Sequence, residues 1–396
     1  MKVYEIGTGY TPIPAQIGAA TEIVVEGLTR AFLKRNVPVE IIDIKSKDRG
    51  ETGLPILEVW VPGCFSGTDV KLGLQHKLKR VAYSICLTAK LRKQLKNAQE
   101  ETVLHFHNQY NLFFFLKLTP ARLRRKALIA YTNHSGIWRQ DWKKIEKTIK
   151  RRYFQEAVCM KQADLVFLFN EQTRENVTEH LGVAEDRIVM IRNGVDTDTY
   201  RPLEQDTKEQ FGLDGKEVIL QVGSVNENKG QLRAAQHLLP MLLANQNLIY
   251  AYAGGIVDEA YHEQVQDLAK AHGLTEQIRY LGVITPGRTL NALYNTAAAT
   301  VFPSVFEAFG LAAIESMAAG VPVLVNREST IDFGEGCIRY DAAHFADTVQ
   351  YLLTENAEPL RKAARSNAVR CYGWDAVAAN HAEVFQNKGE IICLKS

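Results

Sequence analysis

The most informative part of the chain runs from residue 302 to residue 323 and reads Phe302-Pro303-Ser304-Val305-Phe306-Glu307-Ala308-Phe309-Gly310-Leu311-Ala312-Ala313-Ile314-Glu315-Ser316-Met317-Ala318-Ala319-Gly320-Val321-Pro322-Val323. A strand pattern ends at Pro303, a loop carries Glu307, and a helix pattern of small residues opens near Phe309 or Gly310 and ends at Gly320. The amides and the macrodipole at the start of such a helix favour an anionic ligand such as a diphosphate.

Two glutamates flank the start of this helix pattern. Glu315 follows Glu307 by eight positions, which corresponds to about 12 Å along a helix. That spacing suits the distance from the sugar to the ribose of a nucleotide sugar, and carboxylates accept hydrogen bonds from paired hydroxyls. An isolated Glu315 would more simply cap a surface helix or form an ion pair there. The surrounding stretch favours ligand binding.

Strand and helix patterns alternate on both sides of this stretch, which favours parallel sheets wound with helices. The predicted strands are residues 3–6, 39–44, 55–61, 103–106, 127–132, 165–169, 188–191, 218–222, 248–253, 278–281, 300–303 and 321–325. A turn-rich segment at 193–202 separates two such series. We therefore predict one domain at 1–195, joined by a final helix at about 374–390, and a second at 196–373.

Composition is ordinary for a globular protein. The 396 residues include 23% charged and 46% hydrophobic residues, and no apolar run is long enough to span a membrane. The first residues enter a strand pattern without a secretory signal, so we expect a cytoplasmic protein. The six cysteines form no CxxC pair, which favours free thiols over disulfides or a zinc site.

Charge is distributed unevenly along the chain. Residues 1–180 contain 29 basic and 18 acidic residues, a net charge of +11, whereas the remainder contains 18 basic and 27 acidic residues, a net charge of −9. A basic N-terminal half suggests an anionic partner, such as a lipid surface, a phosphate-bearing acceptor or nucleic acid. Attraction between the two halves is the alternative, and both can hold. No stacking motif supports nucleic acid as a partner.

The stretch 302–323 resembles the signature of the family-four retaining glycosyltransferases, the GT-B group that includes glycogen synthases and bacterial mannosyltransferases. The resemblance implies an α/β fold of GT-B type, with two Rossmann-like domains facing across a cleft. It also implies that Glu307 contacts the donor sugar, that Glu315 binds the ribose hydroxyls, and that the amides of Phe309, Gly310 and Leu311 bind the diphosphate.

Two further segments are similar to the same family. Residues 222–230 resemble a Gly-Arg-Leu…Lys-Gly loop whose Arg and Lys bind the diphosphate. Lys229 matches the Lys, but Ser224 stands where Arg is usual, which puts the strength of diphosphate binding in doubt. Asn193-Gly194-Val195-Asp196 resembles the segment that ends the family's first domain.

The N-terminal domain matches the family more loosely. Gly18 belongs to a segment similar to a Gly-Gly-x-Glu loop near the diphosphate, with Ala19 at the second glycine. His134 follows a strand, as does the family histidine that faces the transferred sugar; a local hydrogen-bonding role is the alternative. His105 and His107 could begin a metal site, but the sequence shows no third ligand. We expect structural roles for both and no metal.

The resemblance implies front-side transfer with retention, in which the leaving diphosphate accepts the acceptor's proton. It implies a hexose-type sugar on a nucleotide diphosphate, with UDP expected before GDP, no other cofactor, and a saccharide or polyprenyl-linked acceptor in polysaccharide or glycolipid synthesis. The catalytic residues would be Glu307 and His134. Catalysis would then rest on positioning and charge stabilisation.

Two basic segments bear on the acceptor. Trp138, Trp142, Ile145, Ile149 and Tyr153 fall at helical spacing among basic residues. The segment 77–96 carries apolar residues on one predicted side, namely Leu78, Val81, Ile85, Leu91 and Leu95. Such helices either lie on an anionic membrane, here at the inner face, or face the core.

Three other functions remain open. Gly7-Thr8-Gly9 begins like a dinucleotide fingerprint, but Pro12 replaces its third glycine, which disfavours a dehydrogenase. A nucleotide-sugar epimerase of the same fold is a second alternative. The third is a catalytically silent nucleotide-sugar-binding subunit, suggested by Ser224.

Overall fold

A computed structural model describes most of the chain. The described residues are 1–14, 20–47, 49, 51–63, 74–305, 310–329, 331–353 and 357–393. The chain divides into two compact units, residues 1–194 with 374–396, and residues 195–373. Among the described residues, no helix is both long enough and apolar enough to cross a bilayer.

The first unit contains a seven-stranded sheet in the order β3-β2-β1-β4-β5-β6-β7, in which all neighbouring strands are parallel. Its strands are β1 (Lys2–Ile6), β2 (Val39–Ile44), β3 (Ile56–Val59), β4 (Thr102–Phe106), β5 (Ala127–Thr132), β6 (Leu165–Leu168) and β7 (Ile188–Met190). Its helices are α1 (Ala20–Lys34), α2 (Leu74–Asn97), α3 (Gln109–Leu118), α4 (Ala121–Arg124), α5 (Trp142–Arg152), α6 (Phe154–Gln162), α7 (Glu171–Glu175) and, from the end of the chain, α14 (Trp374–Cys393).

The second unit contains a six-stranded parallel sheet in the order β10-β9-β8-β11-β12-β13. Its strands are β8 (Glu217–Val222), β9 (Leu248–Ala253), β10 (Ile278–Tyr280), β11 (Ala299–Phe302), β12 (Val323–Asn326) and β13 (Cys337–Tyr340). Its helices are α8 (Gln231–Ala244), α9 (Glu259–Ala271), α10 (Arg288–Asn295), α11 (Leu311–Ala318), α12 (Phe345–Leu353) and α13 (Ala357–Asn367).

Both sheets confirm the predicted α/β class, and they add a strand that the sequence analysis missed. The missed strand, β13, is an edge strand of only four residues, of which two are partly buried, one is exposed and one is buried. A short edge strand lacks the continuous apolar run by which buried parallel strands are recognised.

Helix α14 packs against α1 in the first unit, where Trp374 occupies space left by two glycines. A Cβ atom would lie 2.2 Å from the Trp374 ring at Gly27 and 2.0 Å from it at Gly194. Only glycine admits the ring at these distances, because real Cβ contacts do not approach so closely. Trp374 thus packs against the core cluster of the first unit.

The first basic segment follows the core-facing alternative, whereas the second departs from its predicted pattern. On α5, Ile145 and Ile149 are buried, so the apolar side of that helix faces the core. On α2, the predicted single side divides: Leu91 and Leu95 are buried, but the remaining three are 40–51% exposed, namely Leu78, Val81 and Ile85. The buried side of α2 instead consists of residues four positions apart, which lie on one face of the helix and pack in the core cluster of the sheet: Tyr83, Leu87, Leu91 and Leu95.

Candidate active site

A polar cavity of about 460 Å³ lies within the first unit. It forms where the strand order reverses between β1 and β4, since Thr8 follows β1 and His107 follows β4. In open parallel sheets this is the position at which ligands bind. The ionisable side chains that line it include Glu22, Arg80, His107, His134, Arg152 and Glu156.

Glu5 lies beneath this cavity, between two histidines. The register of β1 on β4 pairs Glu5 with His105, and His107 projects from the same face two residues later. His105 Nδ1 lies 2.9 Å from Glu5 Oε1, and His107 Nε2 lies 2.7 Å from Glu5 Oε2. All three side chains are buried. The sequence showed no third group beside the two histidines; the structure corrects this by bringing in Glu5 from a strand a hundred residues away.

The histidine cluster continues to His134. His107 Nδ1 lies 3.0 Å from His134 Nε2, and His105 Nε2 lies 2.7 Å from the Thr132 hydroxyl. His134 is half-buried and lines the cavity. Burial, followed by repulsion from His107 and His105, holds the pKa of His134 well below its usual range, so it is a neutral imidazole.

Glu156 holds the turn that carries His134. Its carboxylate accepts hydrogen bonds from the Tyr131 hydroxyl at 2.8 Å, the Asn133 amide at 2.9 Å and the Trp138 indole at 2.7 Å. Three donors on both sides of His134 therefore converge on one buried carboxylate, which fixes the turn. Burial raises the pKa of Glu156 despite these donors.

A further buried carboxyl group, that of Glu22, lies at the cavity wall near the start of α1. It accepts a short hydrogen bond from the Thr8 hydroxyl. Burial raises the pKa of Glu22 to about 7, outweighing that hydrogen bond. Gly18, predicted to lie near the diphosphate, is outside the described residues.

Two arginines line the cavity together with the carboxyl groups of Glu22 and Glu156. The Arg80 guanidinium lies 4.5 Å from the Tyr10 ring centre and 5.0 Å from that of Tyr110, in cation–π contacts. Its Nε is buried without a hydrogen-bond partner among the described groups. Arg152, at the end of α5, is the second arginine and is exposed. These positive charges are not matched by an ion pair within the described part of the cavity wall.

Within the second unit, Glu315 lies on α11, and the Tyr294 hydroxyl donates to its Oε2 at 3.0 Å. Burial raises the pKa of Glu315 to about 7, against hydrogen bonds from Tyr294 and Tyr200. Glu315 therefore contacts two tyrosines rather than a described basic residue. Glu307 and Phe309 are outside the described residues.

Gly310 precedes α11 and lets the chain enter that helix. Its φ is +62°, and a Cβ atom there would lie 2.3 Å from the Phe333 ring. Both facts require glycine. The predicted helix start is confirmed, because Leu311 is the first residue of α11, where backbone amides lack partners within the helix.

The loop after β8 is ordered by its own hydrogen bonds. Asn226 donates to the Ser224 hydroxyl at 3.0 Å, and Gln231 donates to the Ser224 carbonyl at 3.0 Å. The Lys229 stem lies 3.7 Å from the Cβ position of Gly223. No second cation takes the usual position of Arg at Ser224 in this described loop; nearby Arg233 donates instead to the Pro303 carbonyl at 3.2 Å.

The sequence analysis assigned no site role to four residues of the first unit: Glu5, Glu22, Arg80 and Glu156. A charged residue inside an apolar strand, as in Lys2–Ile6, was a usable signal for Glu5. The others sit in amphipathic helices, where a charged residue usually faces solvent.

Two family models match this chain. The model for "Glycosyltransferase Family 4" matches residues 21–199, and the model for "Glycosyl transferases group 1" matches residues 204–370. Between them they cover most of both units.

One similar curated protein is the D-inositol 3-phosphate glycosyltransferase of Nocardiopsis dassonvillei, 34% identical over 185 residues, which are 43% of this chain and 42% of that protein. The chain spans about half the length of the curated relatives that it matches.

Solved structures with the same fold cover nearly the whole chain. Sucrose-phosphate synthase from Thermosynechococcus elongatus is 18% identical, covers 98% of each chain and has a TM-score of 0.72. Anabaena HepE, crystallised with UDP and glucose, is 14% identical, covers 98% of this chain and 99% of its own, and has a TM-score of 0.66. At such identities these likenesses show the fold.

The raised pKa of Glu22 predicts a pH-dependent stability. The unfolded carboxyl ionises near pH 4.5 and the folded one near pH 7, so the first unit should lose stability as pH rises through this window. Relative to Glu22→Gln, the wild type should lose about 1.4 kcal/mol per pH unit. Denaturant unfolding followed by tryptophan fluorescence would measure it, because all four tryptophans lie in the first unit.

The matched control is Glu26→Gln, which removes a carboxylate of α1 that pairs with Arg30 at the surface. If the free energies of unfolding of wild type and Glu22→Gln changed in parallel with pH, the assignment of a raised pKa to Glu22 would be wrong.

Proposed function

The chain belongs to the family-four glycosyltransferases of the GT-B fold, and on this basis we propose that it is a retaining, metal-independent transferase of a hexose-type sugar. The donor would be a nucleotide diphosphate sugar, with UDP ahead of GDP. The acceptor would be a saccharide or a lipid-linked saccharide in polysaccharide or glycolipid synthesis. Anabaena HepE, crystallised with UDP and glucose, supports the choice of UDP.

The observation that carries the donor assignment is the environment of Glu315. Glu315 lies on α11, the helix whose start follows Gly310, and its carboxylate accepts a hydrogen bond from Tyr294 of α10. A carboxylate held by hydroxyl donors rather than by a cation keeps acceptor capacity for ribose hydroxyls. The amides of Gly310 and Leu311 would bind the diphosphate together with those of Phe309.

Lys229 would balance the charge that develops on the departing diphosphate. Its half-buried stem is ordered against Gly223, so its amine would lose little freedom on binding. Ser224 would bind the diphosphate through a hydrogen bond at most, and Gly18 through its backbone. Glu307 and His134 would contact the donor sugar, and the leaving phosphate would accept the proton of the attacking hydroxyl.

The donor assignment predicts a division between binding and transfer. Glu315→Gln and Lys229→Ala should each weaken UDP binding roughly 10- to 100-fold, because each removes a charged hydrogen-bond partner. Glu307→Ala should keep UDP binding but lose transfer. Titration calorimetry with UDP-, GDP- and ADP-glucose in metal-free buffer, beside a transfer assay, would measure both.

Glu263→Ala is the control, since Glu263 is exposed on α9. Full transfer activity in Glu307→Ala would contradict the assignment of Glu307 as a catalytic residue. A wild type that binds a nucleotide sugar and never transfers it would favour the silent subunit that Ser224 suggests, and conversion of the bound sugar would favour the epimerase.

We further propose that the acceptor carries a phosphate or diphosphate, bound by Arg80 and Arg152 in the cavity of the first unit. Arg80 has an unpartnered buried Nε, and planar guanidinium groups bind phosphate oxygens in pairs. One relative is named for inositol 3-phosphate, and one structural neighbour is a sucrose-phosphate synthase. Both names support an anionic acceptor.

This assignment predicts selective loss of phosphorylated acceptors. Arg80→Gln should raise the KM for hexose 6-phosphates roughly 10- to 100-fold relative to the same hexoses without phosphate. UDP binding should be unchanged. Lys143→Gln, at an exposed position of α5, is the control; equal losses for both kinds of acceptor would exclude a phosphate site at Arg80.

We also propose a peripheral contact between the first unit and an anionic membrane through α2. Its exposed apolar stripe consists of Leu78, Val81 and Ile85. The helix carries seven basic residues and no acidic residue, and the exposed ones include Lys93 and Lys96. A basic helix with an exposed apolar stripe is typical of membrane-surface binding.

The α2 contact predicts binding to vesicles that contain phosphatidylglycerol. Ile85→Glu should abolish co-sedimentation because it brings a negative charge into the stripe, and high salt should weaken it because the attraction is partly electrostatic. Leu243→Glu is the control, since Leu243 is 56% exposed on α8 of the second unit. Equal loss in both variants would contradict a contact through α2.

A further inference from the structure

Glu5, buried beneath the cavity, has no part in the reaction as proposed above. Strand β1 places it between Tyr4 and Ile6 in the middle of the sheet, where its side chain is fully buried. A buried carboxylate is costly unless hydrogen bonds and opposite charge compensate for lost water. The partners that compensate Glu5 therefore indicate what it does.

Each oxygen of Glu5 contacts one imidazole, His105 on Oε1 and His107 on Oε2. Burial alone would raise the pKa of Glu5, but the charge of His105 and the hydrogen bonds from His105 and His107 outweigh it and hold that pKa at about 2. Glu5 is therefore an anion at neutral pH. An ionised carboxylate only accepts hydrogen bonds.

The position of the proton on the His107 ring follows from the negative charge of Glu5. Burial, with repulsion from His105, lowers the pKa of His107 to about 4, so its ring carries one N–H. That N–H must be at Nε2, where it donates to Glu5. Nδ1 of His107 is then an acceptor, and the His134 Nε2 atom 3.0 Å away must be the donor of the contact between the two rings.

We propose that Glu5 and His107 are positioning residues that fix His134 in the tautomer protonated on Nε2. Nδ1 of His134 then carries the lone pair, and any group that binds this nitrogen must donate to it. A sugar hydroxyl is such a donor, and His134 lines the cavity. The role of this tautomer in sugar transfer rests on the proposed function.

The relay has two physical effects. It sets the hydrogen-bonding sense of His134 before substrate binds, so no tautomer change accompanies binding. It also polarises His134, because hydrogen bonds in series from an anion strengthen one another in a buried environment. Both effects act on positioning in the transfer step rather than on nucleotide affinity.

A metal ion is the competing explanation, because Glu5, His105 and His107 offer ligand atoms within 4.8 Å of one another. The contact distances favour hydrogen bonds. The N···O separations are 2.7 and 2.9 Å, whereas tetrahedral zinc would hold separate N and O ligands about 3.3 Å apart.

His105 supplies the internal control. It shares the Glu5 carboxylate, but its other nitrogen contacts Thr132 at 2.7 Å and does not lead to His134. Thr132→Val has nearly the same shape and removes one hydrogen bond from the same buried cluster. It should cost stability without altering the His107–His134 contact.

The first experiment uses the full chain without substrate. Two-bond ¹⁵N–¹H NMR correlation on ¹⁵N-histidine protein should show His107 and His134 as neutral rings protonated on Nε2. A His134 protonated on Nδ1 would overturn the relay. Loss of the His107 Nε2–H signal on adding Zn²⁺ alone would overturn it in favour of the metal site.

The second experiment tests the consequence. Glu5→Met, similar in length but apolar, should leave His107 and His134 as tautomer mixtures. It should lower kcat roughly 10- to 100-fold, about the effect of losing a hydrogen bond to a charged group, with little change in donor KM. Glu5→Asp, which restores the anion, should recover part of both effects. Thr132→Val should keep wild-type tautomers and kcat.

If Glu5→Met lowered kcat while His134 kept its wild-type tautomer, Glu5 would be only a structural residue and the inference would fail. The NMR result needs no substrate. Absence of transfer with every donor and acceptor would therefore defeat the proposed function without touching the relay, whereas active protein with the other tautomer would defeat only the relay.

Discussion

The direction in which crossover helices leave a parallel sheet is the constraint on which this molecule's chemistry depends. In the first unit the strand order runs outward from β1 on one side and from β4 on the other, and in the second from β8 and from β11. Neighbouring strands whose connections diverge leave a gap at their carboxyl ends. The Glu5–histidine cluster and the Arg80 cavity lie at the first gap, and the loop after β8 lies at the second.

Buried carboxylates then take different states according to their partners. Glu5 receives two imidazoles, which hold its pKa at about 2 although burial opposes them. Glu22 and Glu315 receive hydrogen bonds that do not outweigh burial, so burial raises the pKa of each to about 7. The same residue type thus serves as a fixed anion in one place and as a group poised near neutrality in another.

In the second unit, Ser224 stands at the position where an arginine usually binds the donor diphosphate. The loop that carries it is ordered by Asn226 and Gln231, and Arg233 donates one hydrogen bond to the Pro303 carbonyl. In the proposed donor site, diphosphate binding would rely on Lys229 and on the amides at the start of α11. A chain with one cation in this loop depends more on helix-terminal amides than one with two.

The sequence by itself determined the fold class, nearly every strand and the start of α11. These depend on local patterns: apolar runs of strand length, and a glycine whose positive φ begins a helix. Burial on α2 was decided by tertiary structure, because Leu78 and Leu91 satisfy one helical pattern while only Leu91 meets the sheet. The meeting of Glu5 with His105 was likewise decided by strand pairing across a hundred residues, since register is set by packing that no local pattern encodes.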